Sequence, residues 1–191
     1  TKMLRRENIR ILGTQAEDID AAEDRERFDE LLEKLQIKRP KGLTVMTKEE
    51  ALKVANEIGY PTLLRPSYVL GGQNMTVCYG DADVIEYMDV ILSQEIENPV
   101  LIDQYLMGKE LEVDAICDGK AVFIPGIMEH GEHTGIYSGD SISVYPTLSV
   151  SQKAKEQIIE YTVRLGPRIG IVGLYNIQFI VAGAFEYCVI E

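Results

Sequence analysis

The sequence predicts an α+β fold with two lobes, because helical patterns and tight hairpin signals occur along the same chain. Apolar residues recur three and four positions apart in several segments, and short β-type runs lie between them. The pair Asp118-Gly119 and the run 182–184 each separate two β-type runs and are typical of hairpin turns. Hairpins imply antiparallel pairing, which excludes a simple doubly wound parallel sheet. We expect a leading segment over residues 1–43, a smaller lobe over 44–104 and a larger, sheet-rich lobe over 105–191.

Four segments have the helical period, and they begin near Asp24, Thr47, Asp81 and Ser149. The second and fourth open with capping-box patterns, in which a hydroxyl residue is followed three positions later by Glu or Gln. We expect Gly59 to end the second helix and Gly166-Pro167 to end the fourth, since Gly and Pro commonly follow a helix.

Seven short runs have strand composition: residues 62–65, 75–79, 100–104, 110–117, 121–128, 173–181 and 185–190. The last run stops without a cap, a turn or a polar tail. An exposed strand edge of this kind invites aggregation, so we expect the sequence to be a piece of a longer chain.

Charge and cysteine content exclude several classes of partner. The 191 residues contain 31 Asp and Glu against 19 Lys and Arg, a formal net charge of −12. An acidic field repels phosphate backbones and anionic lipid, so we expect no nucleic-acid or membrane partner. Three widely spaced cysteines form neither a disulfide framework nor a metal knuckle. The composition predicts a reduced, soluble, cytoplasmic protein.

The first candidate site is the segment from Arg65 to Asn74, which lies between two β-type runs. The adjacent glycines Gly71 and Gly72 permit close approach of the backbone, and their N–H groups could cradle phosphate oxygens. Arg65 would supply a permanent, bidentate cation to a phosphate. An ordinary hairpin loop remains the alternative.

The second candidate combines acidic and amide side chains on β-type runs. Alternation places Glu110, Glu112 and Asp114 on one strand face. Such a row could bind a hard cation or a ribose, or could be a solvated sheet face. Gln178, two residues after an asparagine, and Glu191 one hairpin away could together supply oxygens to Mg²⁺.

The third candidate is the segment 129–141, which we expect to be a loop containing both histidines, His130 and His133. A zinc site is one interpretation, although the spacing matches no standard zinc motif and no helix aligns the two rings. A long loop rich in Gly, Ser and Asp beside a sheet is more typical of a functional lid or of a loop at a phosphate edge.

Several segments, taken in order, resemble one known family: RPSYVLGG, EVDAICDG, GIMEH…GIYSGDS, GLYNIQF and the closing VIE. With the opening ILGTQAEDIDAAEDRERF, they are similar to the ATP-grasp domain of the large chain of carbamoyl phosphate synthetase. That large chain has two related halves. The sequences RPSYVLGG and GIMEH resemble the second half, which phosphorylates carbamate, more than the first half, which phosphorylates bicarbonate.

The resemblance implies an ATP-grasp fold, with two lobes that each hold a largely antiparallel sheet and flanking helices around a nucleotide cleft. Residues 1–43 would then hold the end of a preceding subdomain and the leading helix. The smaller lobe would contain the Gly-rich flap, and the larger lobe would be truncated at its C-terminal strand.

The resemblance also assigns roles to residues that bind phosphate and metal. Arg65 matches the arginine that binds and positions the nucleotide phosphates, and Gly71 and Gly72 match the flap over them. Gln178 and Glu191 match two ligands of the divalent metal, Mg²⁺ or Mn²⁺.

The remaining assignments concern the nucleoside. Glu110 matches the carboxylate that takes the ribose hydroxyls. Gln104 and Leu106 match the hinge beside the adenine. The positions that match a loop flanking the nucleotide are Gly135, Ile136, Tyr137 and Ser138. Tyr137 and Gln104 depart from the residues usual in the family.

The function implied is ATP-dependent synthesis of carbamoyl phosphate for arginine and pyrimidine biosynthesis, with ATP and carbamate or bicarbonate as substrates. A glutamine amidotransferase small subunit would be the partner. The family's Asn-Pro-Arg run after Glu191 is absent, so we expect the isolated chain to be inactive. Alternatives are an inactive nucleotide-binding or regulatory module, and another ATP-grasp carboxylate ligase such as a biotin-dependent carboxylase.

Overall fold

The computed structural model describes residues 2–66, 75–93, 99–133, 142–182 and 186–190. These residues form two compact units. The smaller unit comprises Pro40–Met107, and the larger comprises the residues up to Arg39 together with those from Gly108 onward. Residues 2–39 therefore pack in the same unit as the later strands.

The smaller unit is built on a four-stranded antiparallel sheet. Its strands, in chain order, are β1 (Gly42–Val45), β2 (Thr62–Pro66), β3 (Thr76–Cys78) and β4 (Val100–Gln104). Their order across the sheet is β1-β4-β2-β3. The two β-type runs that flank the Gly-rich segment in sequence are thus paired as the antiparallel strands β2 and β3, and β1 is an additional strand.

Two helices cover one face of this sheet, α4 (Lys48–Ile58) and α5 (Asp81–Leu92). Thr47 and Glu50 form the predicted capping box at the start of α4, and Gly59 follows its end with a φ of 90°. The apolar faces of both helices pack with Leu64 and Ile102 in one core.

The larger unit is built on a six-stranded antiparallel sheet. Its strands are β5 (Lys109–Asp118), β6 (Val122–Phe123), β7 (Met128–His133), β8 (Ser143–Val144), β9 (Val172–Ala182) and β10 (Glu186–Val189). Five of them follow the order β10-β9-β5-β7-β8, and β6 pairs with β5. The long β5–β9 ladder runs from Lys109 opposite Val181 to Asp118 opposite Val172.

Among the described residues, the larger unit contains the helices α1 (Lys2–Arg6), α2 (Ala16–Glu23), α3 (Arg25–Lys34) and α6 (Gln152–Ile169). Helices α3 and α6 pack on the apolar face of the sheet, and α2 contacts both of them. Leu32 of α3 and Ile158 and Leu165 of α6 are buried with Val113 and Phe179 of the central strands. The alternation predicted for β5 is confirmed, because Leu111, Val113, Ala115 and Cys117 are buried while the residues between them are not.

The expected ends of α6 were wrong at both termini. Ser151, rather than Ser149, caps the helix by accepting a hydrogen bond from the Ala154 N–H. The helix also continues through Pro167 to Ile169, and Gly170 ends it in the left-handed conformation. Gly166 serves close packing instead, since a Cβ there would lie 2.7 Å from the Tyr175 hydroxyl.

Two expectations about the β-type runs also need correction. Within the run 121–128, only Val122–Phe123 and Met128, the first residue of β7, lie in strands. The segment around the histidines, which was expected to be a loop, begins as the strand β7, and His130 lies within it. His130 is therefore placed by sheet register, and its ring is buried.

Among the residues that the structure describes, no helix is both long and apolar enough to cross a membrane.

Candidate functional site

Arg65 lies on β2, in the smaller unit, beside a buried carboxylate. Strand pairing sets Arg65 opposite Leu101 of β4, two residues before Asp103. The Arg65 Nε lies 3.5 Å from the Asp103 Oδ2. Asp103 is 5% exposed, so its charge is withdrawn from water and compensated within the sheet.

Gln104 and Leu106 mark the point where the chain leaves the smaller unit, which ends at Met107. The Gln104 N–H donates to the Lys41 carbonyl at 2.7 Å, and both predicted hinge residues are half-buried. Gln104 is three ladder positions from the Arg65 pair, which is about 10 Å along a strand.

In the larger unit, β5, β7 and β9 present a polar face opposite the apolar core. The ring of His130 lies between two carboxylates, with Nε2 at 3.2 Å from Glu112 Oε2 and Nδ1 at 3.5 Å from Glu110 Oε2. This histidine is only 2% exposed. The acidic row is thus a partly buried network at this end and not merely a solvated surface.

The amides of β9 extend the same face. Asn176 donates from Nδ2 to Glu112 at 2.7 Å and to Asp114 at 2.8 Å. Gln178 is directly opposite Glu112 and diagonal to Glu110, because Glu110 pairs with the residue two positions further along β9. The structure therefore brings together two residues predicted from the resemblance, Glu110 for ribose and Gln178 for metal.

Metal-binding capacity on this face is partial. Across the described ranges, there is no group of three or more His, Cys, Asp or Glu side chains able to hold a metal ion. Mg²⁺ bound to a nucleotide needs only one or two protein ligands, so the absence of a larger acidic group does not exclude the predicted role of Gln178.

The opposite face of β7 holds a second buried carboxylate, Glu129, which organises the segment before α6. Its oxygens accept hydrogen bonds from the Leu148 and Ser149 N–H groups, both at 2.9 Å, and from the Ser149 hydroxyl. The Lys109 ammonium lies 3.5 Å away. Burial acts to raise the pKa of Glu129, but the bonds from Ser149 and Leu148 and the charge of Lys109 outweigh it and hold this pKa below 4.5.

Replacing Glu129 by glutamine is expected to lower the free energy of unfolding by about 1–2 kcal/mol at neutral pH, since a charged acceptor is lost. A carboxyl whose pKa is lowered by folding stabilises the protein above its unfolded pKa, and this contribution disappears as the pH falls through the folded pKa. The difference between the two proteins should therefore shrink below pH 4.5. Urea unfolding at a series of pH values measures it.

The control for this measurement is Glu30→Gln, since Glu30 is exposed and paired with Lys34 in a single helix. This variant should change stability by less than about 0.5 kcal/mol. A Glu129→Gln deficit that stays constant in acid would contradict the assignment of the lowered pKa to Glu129.

Several predicted residues lie outside the described part of the chain: Gly71, Gly72, Gly135, Ile136, Tyr137, Ser138 and Glu191. Two predicted residues have partners that no sequence pattern indicates: Asp103 for Arg65 and His130 for Glu110. The alternating pattern of β7 was the available signal for His130, but its partners depend on register.

A family described as "Carbamoyl-phosphate synthase L chain, ATP binding domain" matches residues 24–191. The chain belongs to this family. The match includes β2, β4, β5 and β9, and therefore all of the described candidate residues named above.

Named relatives of the family support the same conclusion. The carbamoyl phosphate synthase large chain of Agathobacter rectalis is 59% identical over 180 residues, or 94% of this chain and 17% of the relative. That of Lachnoclostridium phytofermentans is 55% identical over 189 residues, or 99% of this chain and 18% of the relative. The chain thus spans less than a fifth of the length of these relatives.

Solved structures of other enzymes share the fold. Biotin carboxylase of Campylobacter jejuni, in a β-γ-ATP complex, has a TM-score of 0.83 at 20% identity, and the match covers 100% of this chain and 44% of that one. D-alanine–D-alanine ligase of Bacillus anthracis, complexed with ATP, has a TM-score of 0.77 at 15% identity and covers 100% and 60%. At such identities the likeness concerns the fold alone, and it confirms the predicted ATP-grasp fold.

Proposed function

We propose that this chain is the ATP-binding part of a carbamoyl phosphate synthetase large chain that phosphorylates carbamate. The observation that carries the proposal is the polar face of β5 and β9, where Glu110 and Gln178 are diagonal neighbours in a member of this family. The sequence of the segment RPSYVLGG resembles that of the carbamate-phosphorylating half. It therefore favours carbamate over bicarbonate as the acceptor of the phosphoryl group.

Each described residue has a proposed role. Arg65 binds the nucleotide phosphates and stabilises the charge that develops on the transferred group. Glu110 accepts hydrogen bonds from the ribose hydroxyls. Gln178 contributes an oxygen to a divalent ion, Mg²⁺ or Mn²⁺, whose charge offsets that of the phosphates. Gln104 and Leu106 lie at the end of the smaller unit, as a hinge beside the adenine requires.

The proposed chemistry is an in-line displacement. A carbamate oxygen bonds to the γ-phosphorus of ATP while the bond from that phosphorus to the β–γ bridging oxygen breaks, which yields carbamoyl phosphate and ADP. No covalent intermediate with the protein is needed, so positioning and charge compensation are the contributions of the chain.

The full-length protein would work in the cytoplasm with a glutamine amidotransferase small subunit. Its product would enter arginine and pyrimidine biosynthesis. Among the flanking residues, Gly71, Gly72, Gly135, Ile136, Tyr137 and Ser138 are proposed to surround the nucleotide, and Glu191 is proposed as a second metal ligand.

The two half-reactions of the full-length protein test the proposal. Reversal of carbamate phosphorylation forms ATP from ADP and carbamoyl phosphate, and it requires no bicarbonate. Gln178→Ala should slow this reaction by more than about tenfold, since even an outer-shell partner of a metal is worth that much. Hydrolysis of ATP that depends on bicarbonate should change much less.

A matched control is Gln157→Ala, because the Gln157 amide bonds Glu160 on the surface of α6. It should leave both half-reactions unchanged. If Gln178→Ala instead abolishes bicarbonate-dependent hydrolysis and spares ATP formation, the chain belongs to the bicarbonate half. If neither reaction changes, the chain is not a catalytic part of the protein.

A further inference from the structure

We propose that Asp103 is a positioning residue that aims the Arg65 guanidinium at the nucleotide phosphates. The inference rests on the proposed function of Arg65 and deepens it. Asp103 has no role in any assignment made above. Its position next to the predicted hinge residue Gln104 makes it part of the same strand end.

The geometry of the pair leaves the phosphate-binding edge of the arginine available. The contact to Asp103 Oδ2 is made from Nε, at 3.5 Å, on the inner side of the guanidinium. Among the described residues, the Arg65 side chain makes this one ion pair and no hydrogen bond. With Nε beside Asp103 in an ion pair without a hydrogen bond, the two terminal nitrogens can face outward, as bidentate recognition of a phosphate requires.

The strand register holds both side chains on the same side of the sheet. Arg65 is opposite Leu101, and Asp103 follows Leu101 by two residues on β4, so alternation gives them a common face. Leu64 and Ile102, which alternate with them, are buried in the core on the other face. Both main chains are fixed by ladder hydrogen bonds, so only side-chain rotation remains to be restrained.

Gly42 supplies the space that the Asp103 carboxylate occupies. Gly42 of β1 pairs directly with Asp103, and a Cβ at position 42 would overlap the Asp103 Oδ1. A glycine inside a strand weakens the strand unless something approaches it closely. Here the approaching group is a carboxylate that is 5% exposed.

Buried ion pairs are poor stabilisers, because the loss of hydration offsets the attraction between the charges. Stability alone therefore gives little reason to bury Asp103 beside Arg65. Catalysis gives a stronger one, since phosphoryl transfer depends on placement, and a misplacement of about 1 Å can cost on the order of a hundredfold in rate.

The experiment is a double-mutant cycle on ATP formation from ADP and carbamoyl phosphate, measured in the full-length protein. Asp103→Asn keeps the size of the side chain and removes its charge. It should lower the rate at saturating substrate by about tenfold to a hundredfold. In the Arg65→Ala background the same substitution should have almost no further effect, because its target is gone.

A second variant tests the same contact independently, in case Asp103→Asn misfolds. Gly42→Ala leaves the charge in place and displaces the carboxylate, so it should reproduce the rate loss and the dependence on Arg65. The control is Asp89→Asn, since Asp89 is an exposed partner of Lys48 in the same unit. That variant should retain the wild-type rate, and hydrogen exchange of β2 and β4 should match wild type in all variants that are compared.

The possible failures are distinguishable. If Arg65→Ala itself leaves the rate unchanged, the proposed function of Arg65 fails. If Arg65→Ala lowers the rate but Asp103→Asn costs as much with or without Arg65, Asp103 does not act through Arg65 and the inference is overturned. A wild-type rate for Asp103→Asn would overturn it as well.

Discussion

Arg65→Ala in the full-length protein is expected to lower ATP formation from ADP and carbamoyl phosphate about a thousandfold, as loss of an arginine at a transferring phosphoryl group does. The resemblance implies a catalytic role for Arg65, and Arg65 is among the residues that the structure describes. It lies on a strand beside a buried counter-charge, so we expect its place to be set before a nucleotide binds. The rate at saturating ADP is the quantity to measure.

Two further variants make this result specific. Arg65→Lys retains the charge without the planar fork and should recover only part of the lost rate. Arg168→Ala removes an exposed arginine from the last turn of α6 and should leave the rate within about twofold of wild type. An Arg65→Lys rate equal to wild type would mean that a point charge suffices, which contradicts the bidentate role.

Glu110→Ala is expected to weaken nucleotide binding by about tenfold to a hundredfold, because hydrogen bonds to a charged group contribute roughly 1.5–3 kcal/mol. The matched variant is Glu112→Ala. Both carboxylates contact His130 and share one strand face, but Glu112 also accepts from Asn176 and is engaged within the sheet. We expect Glu112→Ala to affect nucleotide binding less than Glu110→Ala.

A comparison of ADP with 2′-deoxy-ADP distinguishes the loss of ribose recognition from damage to the hydrogen-bond network around His130. The wild-type protein should prefer ADP to 2′-deoxy-ADP in the carbamoyl phosphate reaction, as judged by kcat/KM. Glu110→Ala should lose this preference, whereas Glu112→Ala should keep it. Equal losses in both variants would indicate that the acidic row only supports the sheet, and they would refute the ribose assignment.

Local chemistry made several features predictable from the residues themselves. The capping box of α4 depends on Thr47 and Glu50, which are three positions apart, so their hydrogen bonds form within one turn. The alternation of β5 follows from the geometry of any strand, and it placed Glu110 and Glu112 on one face. Such patterns survive in the fold because their partners are close in sequence.

Ser149 is a residue for which the local sequence pattern predicts the wrong hydrogen-bond partner. Its hydroxyl has the right position for a helix cap, but it donates to Glu129, 20 residues earlier, and Ser151 caps α6 instead. A side chain with two possible partners takes the one that also satisfies a buried charge, because leaving a buried carboxylate without donors costs more than losing one cap.

The sequence by itself determined the α+β class, the antiparallel hairpins and, through family resemblance, the positions proposed to bind ATP. Tertiary structure alone decided which side chains contact the residues at those positions. Asp103 reaches Arg65 across 38 residues of chain, and His130 reaches Glu112 across 18. These pairs follow from strand register, which is chosen by the burial of whole apolar faces, so no local pattern of charges specifies them.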